Sequence, residues 1–303
     1  MSAAAANKDV PVRLLQKYRH FLLDCDGVLW HSATAIRGAR EAVARIRAAG
    51  ADVVFVTNNA TKTREAYLAK FEQLGFAGVA VREVNTSGSA AAEYCARAGL
   101  TKVFCIGEAG VTDECRALGL EVVADDAAGP AMDDAEFEST VLASGVKAVV
   151  VGWDRHFSYR KLALASLYLQ AGAALVACNP DASDKMASGR FMPGNGCQVA
   201  AIQYSVGDAA GQRTVVAGKP NGALIQALID KYKFDRAATL MVGDRLDTDI
   251  LFAQNGGVDS LLVLSGCTSR EDLALGHGNS AGAHPTYVAV DLFAGLDSDL
   301  ARA

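Results

Sequence analysis

Short apolar runs that break off at a polar, chemically capable residue constrain this chain most. Phe21-Leu22-Leu23 stops at Asp24-Cys25-Asp26-Gly27, and residues 52–56 (DVVFV) stop at Thr57-Asn58-Asn59. Residues 214–217 stop at Gly218-Lys219-Pro220, and residues 239–242 (TLMV) stop at Gly243-Asp244. Runs of β-branched and large apolar residues without polar alternation read as strands buried on both faces. Segments of helical spacing lie between them: 36–50, 63–74 closed by Gly75, and a helix capped at Asn85-Thr86-Ser87 that runs to Gly99. Strand alternating with helix predicts a parallel sheet with helices on both faces. Such sheets take ligands at the carboxyl ends of their strands, where these polar residues fall.

The pattern starts afresh after Gly99. Strands are expected at 102–106, 121–124, 146–152 and 173–178, and helices at 110–118, 158–171 and 197–206. The acidic stretch 125–138 reads as a solvated loop and 207–212 as a polar turn. Then come strands at 214–217, 239–242, 260–264 and 287–290, with helices at 221–232 and 249–254. A short lead-in helix is expected at 11–20. The predicted fold is therefore α/β, with a Rossmann-like parallel-sheet core from residues 1–99 and 213–303. An inserted α/β domain occupies 100–212.

Composition excludes several function classes. With 51% hydrophobic and 21% charged residues the chain of 303 can bury a sizeable core and is too apolar for disorder. A net charge of −5 argues against a broad basic surface for nucleic acid. It leaves room for a local site that takes a small anion. No apolar window is long enough for a transmembrane helix, so no membrane partner is expected. Residues 1–8 lack the apolar core of a signal peptide. Seven cysteines with no CxxC pair read as reduced thiols, and the expected location is the cytoplasm.

The chemistry starts at Asp24-Cys25-Asp26-Gly27. Residues i and i+2 of an extended segment face one side, so both carboxylates can enter one pocket. They would repel there unless a cation relieves them, and Mg²⁺ takes such hard oxygen ligands. A carboxylate can attack phosphorus to give an aspartyl-phosphate, and a second carboxyl can protonate the leaving oxygen. Asp24 is the candidate nucleophile and Asp26 its proton partner. Asp244 is a candidate to complete the metal shell, with Asp249 a turn further on holding a metal-bound water or a ligand; Asp247 has no clear place. Thr57, Asn58 and Asn59 offer a hydroxyl and N–H groups for phosphate oxygens. Lys219 offers a point charge for the same group. Each motif alone has an ordinary reading: a polar loop, favourable acids at a helix start, a cap, an exposed lysine.

Together and in this order the motifs LLDCDGVLW, FVTNNATKT, AGKPN and MVGDRLDTDI resemble the haloacid dehalogenase-like phosphatase superfamily. The subgroup resembled contains p-nitrophenylphosphatases, phosphoglycolate phosphatases and pyridoxal phosphate phosphatase. The stretches VVVGWDRHFSYRKL and GRFMPGNGC resemble its large α/β cap. The resemblance implies a Mg²⁺-dependent phosphomonoesterase acting on a small phosphorylated metabolite. It makes Asp24 nucleophile and metal ligand, and Asp26 acid/base and ligand through its carbonyl. Thr57 and Lys219 become phosphate holders, Asn58 and Asn59 members of the phosphate loop, and Asp244 and Asp249 metal-site residues. Dehalogenases of this superfamily lack the second acid, so Asp26 favours a phosphatase or phosphomutase. A homodimer formed through the cap is also implied. A catalytically idle ligand-binding protein on the same fold is the alternative of another class.

By the same resemblance, Asn179-Pro180-Asp181 through Gly189-Arg190-Phe191 is the substrate-facing loop of the cap. GRFxxGxGC is closer to phosphoglycolate phosphatases than to pyridoxal phosphate phosphatases. Where the family carries a leucine–proline or histidine–proline pair, this chain has Asp184-Lys185-Met186, so neither specificity transfers cleanly. Lys185 could pair with a substrate carboxylate or be a solvated loop lysine. Gly278-Asn279-Ser280-Ala281-Gly282 matches GxSxG but lacks the strand and helix that a nucleophile elbow needs. The five histidines have no metal-ligand spacing. Cys25, between the two acids, should point away from them into the core.

Overall fold

A computed structural model describes residues 13–124, 131–186, 188–207, 214–277 and 282–303. The chain divides into two compact units. The first comprises residues 1–56, 71–79 and 220–303, and the second residues 57–70 and 80–219. Residues 57–70, 80–99 and 214–219 pack with the second unit. Both units are α/β with parallel sheets, as the alternation of strands and helices predicts.

In the first unit, His20–Leu23 lies between Asp52–Thr57 on one side and Thr239–Gly243 on the other. Asp259–Val263 and then Tyr287–Ala289 follow beyond Thr239–Gly243. All of these pairings are parallel. The chain leaves His20–Leu23 toward one side and returns much later on the other, which opens a crevice at the strand ends. Phe21, Leu22 and Leu23 are fully buried, which is why the run carries no polar alternation. Ala39–Ala48 is amphipathic, burying Ala39, Ala42, Val43 and Ile46 at helical spacing. A core of Leu22, Val54, Ile225, Met241 and Phe252 fills one face of the sheet.

In the second unit the sheet order is Thr214–Val216, Ala174–Ala177, Ala148–Val151, Lys102–Ile106, Glu121–Ala124. Phe104, Val149, Leu175, Tyr168 and Ile202 pack its core. Tyr159–Gln170 starts at Ser158, whose side chain accepts the Lys161 N–H. Ser87–Arg97 starts with a reciprocal Thr86–Ser89 capping box. Glu114 is 2% exposed, and its carboxylate is met by Arg64 at 2.8 Å. Among the described residues no helix is long and apolar enough to cross a membrane.

Some local expectations shift. The lead-in helix is only Leu14–Lys17; residues 11 and 12 lie outside the described set. The acidic segment is not all loop: Asp134–Ser139 is helical, because Asp133 caps it by accepting the Glu136 N–H at 2.8 Å. Its residues 125–130 are outside the described set, as are 208–212 of the polar turn and Gly278–Ala281 of the GxSxG match. The helix expected at 249–254 begins earlier, as a wide turn over Leu246–Ile250 that leads into Leu251–Gly256. The stretch expected from sequence to face substrate leads into an antiparallel pair, Ser183–Lys185 with Phe191–Pro193.

Candidate active site

Parallel pairing aligns Leu23 with Val242, and the Asp24 N–H donates to the Val242 carbonyl at 2.9 Å. Asp24 therefore leaves its strand beside Gly243, one residue before Asp244. Asp24, Asp244 and Asp249 each offer a carboxylate oxygen, and these oxygens lie within 4.8 Å of one another. All three residues are buried. Three buried carboxylates so close repel one another unless a cation lies among them. An all-oxygen anionic donor set of this kind fits a hard divalent cation.

Asp249 also shapes the loop. Its Oδ2 accepts the N–H groups of Asp244 and Arg245, each at 3.1 Å. The intervening turn is of the wide π type, with Ile250 N–H on the Arg245 carbonyl at 3.1 Å. Such turns recur at functional sites. Asp247 turns away to a two-pronged pair with Arg245, at 2.8 and 3.1 Å.

Asp26 is half-buried, and its Oδ1 accepts Trp30 Nε1–H at 2.9 Å. The turn that allows this is closed by Gly27 N–H on the Trp30 carbonyl, 2.8 Å. Trp30 is held in turn by edge contacts on Phe71 and Phe76. Cys25, between the two acids, is fully buried.

Sequence reasoning missed the segment after Asp259–Val263. Cys267 N–H donates to Asp244 Oδ2 at 2.6 Å, and Thr268 N–H to the Asp244 carbonyl at 3.1 Å. Ser265 Oγ donates to the Gly27 carbonyl at 2.7 Å. Gly266 is required by close approach, since a Cβ there would fall 1.9 Å from Asp244 Oδ2. The available signal was a further strand ending in small residues, Ser265-Gly266-Cys267-Thr268.

The second unit holds the other polar candidates. Thr57 is buried, and its Oγ1 accepts the Asn59 N–H at 3.1 Å. Asn59 Oδ1 accepts Thr61 N–H at 2.9 Å and Thr61 Oγ1–H at 2.7 Å, so its side chain folds the loop back on itself. Lys219 is 2% exposed. Its main-chain N–H donates to Asn58 Oδ1 at 2.9 Å, and Asn58 Nδ2 donates to the Lys219 carbonyl at 3.1 Å. Asn58 Nδ2 also reaches Asp181 Oδ1 at 3.0 Å. Asn179 Nδ2 donates to the Asn58 carbonyl at 2.6 Å, and Asn179 Oδ1 accepts the Asp181 N–H at 3.1 Å. Asp184 is half-buried on the strand Ser183–Lys185, and the side chain of Lys185 lies outside the described set.

Residues 21–121 match the family described as haloacid dehalogenase-like hydrolase, and residues 216–294 match one described as HAD-hydrolase-like. Phosphoglycolate phosphatase 2 of Arabidopsis thaliana is 39% identical over 269 residues, covering 86% of this chain and 86% of that protein. A p-nitrophenyl phosphatase from Archaeoglobus fulgidus superposes with a TM-score of 0.78 at 28% identity, covering 93% of this chain and 99% of that one. Glycerol phosphate phosphatase from Mycobacterium tuberculosis, solved in complex with magnesium, superposes with a TM-score of 0.76 at 31% identity. That match covers 94% of this chain and 78% of the other.

Proposed function

The chain belongs to the haloacid dehalogenase-like hydrolases and is a phosphatase, and on that premise we propose that it is a Mg²⁺-dependent phosphomonoesterase for small organic phosphates with Asp24 as its nucleophile. The observation that carries this reading is the convergence of the buried Asp24, Asp244 and Asp249 carboxylates within 4.8 Å. In the proposed reaction an Asp24 oxygen attacks phosphorus and the bond to the leaving oxygen breaks. Asp26 gives that oxygen a proton. Asp26 then takes a proton from water, whose oxygen attacks the aspartyl-phosphate, releasing phosphate and restoring Asp24. Thr57, Lys219 and the N–H groups of the Asn58-Asn59 loop hold the transferring group.

Asp24, Asp244, Asp249 and the Asp26 carbonyl would hold Mg²⁺, which when bound offsets the charge of these acids and of the phosphoryl oxygens. The magnesium complex of the mycobacterial relative supports the choice of ion. Residues 1–99 and 213–303 serve as catalytic core and 100–212 as a specificity cap. Within the cap Asn179, Asp181, Asp184 and Lys185 face the substrate, with phosphoglycolate the first candidate and glycerol phosphate the second. Pyridoxal phosphate is the alternative to these acids and polyols. The expected setting is the cytoplasm, supported by seven cysteines with no CxxC pair, with dimerisation through the cap.

The test is Asp24→Asn assayed on p-nitrophenyl phosphate. Turnover should vanish while the thermal unfolding midpoint stays unchanged. Retained turnover would sink the role given to Asp24. A kinetic panel of phosphoglycolate, glycerol phosphate and pyridoxal phosphate ranks the substrates.

A further inference from the structure

Asn58 entered as a phosphate-loop residue, yet its side chain is committed elsewhere. The residue is 8% exposed, and its carboxamide meets both main-chain groups of one residue, Lys219. Only one of the two orientations of that amide satisfies both contacts, with Oδ1 on the N–H and Nδ2 on the carbonyl. The pairing imitates the exchange between two strands, so it sets where the Lys219 main chain lies along the segment. The second Nδ2 hydrogen goes to Asp181 Oδ1 at 3.0 Å. The same carboxamide thus touches Lys219 and the stretch read as substrate-facing.

A buried polar chain continues from there. The Asn58 carbonyl accepts from Asn179 Nδ2 and from Ser87 Oγ. Asn179 Oδ1 accepts the Asp181 N–H, and the Asn179 carbonyl accepts from Asn195 Nδ2 at 2.8 Å. Asn195 Nδ2 donates as well to the Val151 carbonyl at 3.1 Å. Asn179 and Asn195 are nearly inaccessible, so these amides have no water to fall back on. These bonds run between buried groups, so breaking one leaves its partners unpaired.

We propose that the side chain of Asn58 is a positioning residue that ties Lys219 to Asp181, so that the ordering of the 179–185 segment by substrate is transmitted to the lysine. The inference rests on the reading of Lys219 as phosphate holder and of that segment as substrate-facing. It assigns Asp181 a task as hydrogen-bond acceptor for Asn58, separate from any charge it shows to substrate. Binding energy from the non-reacting part of the substrate then sharpens the grip on the reacting part.

Replacement of the acceptor separates the two tasks. Asp181→Asn keeps an oxygen for Asn58 Nδ2, whereas Asp181→Ala removes it. Asp181→Ala should lower kcat/KM for p-nitrophenyl phosphate about 10-fold further than Asp181→Asn does. Equal losses in both would mean that Asp181 acts by charge, and would overturn the proposal. Asn58→Asp puts a second carboxylate against Asp181 and removes the donor to the Lys219 carbonyl, for an expected loss of about 100-fold. The exchange Asn58→Asp with Asp181→Asn restores a donor–acceptor pair and should recover at least about 10-fold of that loss. No recovery in a folded double variant would also overturn it. If Asn58→Asp does not fold, the Asp181 pair decides alone. Failure of the underlying site reading appears separately, as retained activity in Asp24→Asn and Lys219→Ala.

Discussion

A Cβ at Gly27 would stand 2.3 Å from Oδ2 of Asp244. Gly27 sits at φ +82°, where other residues are strained. Two requirements therefore coincide on one glycine. The chain must turn sharply after Asp26, and the Asp244 carboxylate must lie against the turn. Gly27→Ala should cost about 1–2 kcal/mol of stability from the backbone alone. It should also displace Asp244, lowering kcat/KM by about 100-fold or more. Urea unfolding and steady-state kinetics check the two parts, and near wild-type activity would contradict the second.

Asp249 combines a charge with two accepted N–H bonds, and two substitutions separate them. Asp249→Asn keeps an oxygen for Asp244 and Arg245 and loses the charge. The folded state should stay within about 1 kcal/mol of wild type. The Mg²⁺ concentration needed for half-maximal activity should rise. Asp249→Ala leaves buried donors unmet and should cost about 1–3 kcal/mol. Removing metal with a chelator should abolish wild-type turnover. Restoring Mg²⁺ to 100 times its Kd should stabilise the fold by about 2.7 kcal/mol.

Trp30 donates to Asp26 while its ring packs on Phe71 and Phe76. Trp30→Phe keeps an aromatic ring there and deletes the donor. If Asp26 protonates the leaving oxygen, misplacing it matters most for poor leaving groups. The loss in kcat/KM should be about 10-fold on glycerol phosphate and smaller on p-nitrophenyl phosphate, whose phenolate leaves with little help. Equal losses on both would count against Asp26 as the acid.

Asp259 anchors the opposite part of the first unit. Burial opposes its ionisation, but hydrogen bonds from Lys17 and Tyr18 and the charges of Lys17 and Arg302 hold its pKa below the ordinary carboxylate value. Lys17 Nζ is 2.7 Å away and Tyr18 Oη–H 2.5 Å. A depressed folded pKa gives stability that is present above the unfolded value near ~3.9 and is lost as pH falls through the folded one. Asp259→Asn should therefore be less stable than wild type at pH 7, by at most about 1 kcal/mol given its partial exposure. The difference should shrink below pH ~4. Urea unfolding at several pH values measures it, and a difference that grows on acidification would reverse the assignment.

Much of the fold was legible because the signals are local. A strand buried on both faces must be apolar throughout, so 21–23, 52–56, 102–106 and 239–242 announced themselves. The acids and the lysine were legible because they end those runs. The hidden parts have weak or misleading local signals. Residues 134–139 look solvated, yet Asp133 caps a helix there. The pair Ser183–Lys185 with Phe191–Pro193 is three residues a side, too short for a period to show. Ser265-Gly266-Cys267-Thr268 looks like any turn until Asp244 stands beside it.

The sequence by itself determined which chemical groups are available and that they end strands, because side-chain type and periodicity are properties of neighbours along the chain. Tertiary structure alone decided which groups meet. The register of Leu23 on Val242 brings Asp24 to Asp244 and Asp249. The turn after Asp244 gives Asp249 its N–H partners and sends Asp247 to Arg245. Asn58, chosen from sequence as a phosphate ligand, spends its carboxamide on the main chain of Lys219 and on Asp181. Such choices depend on angstrom-scale placement of segments far apart in the chain, which no local pattern of residues encodes.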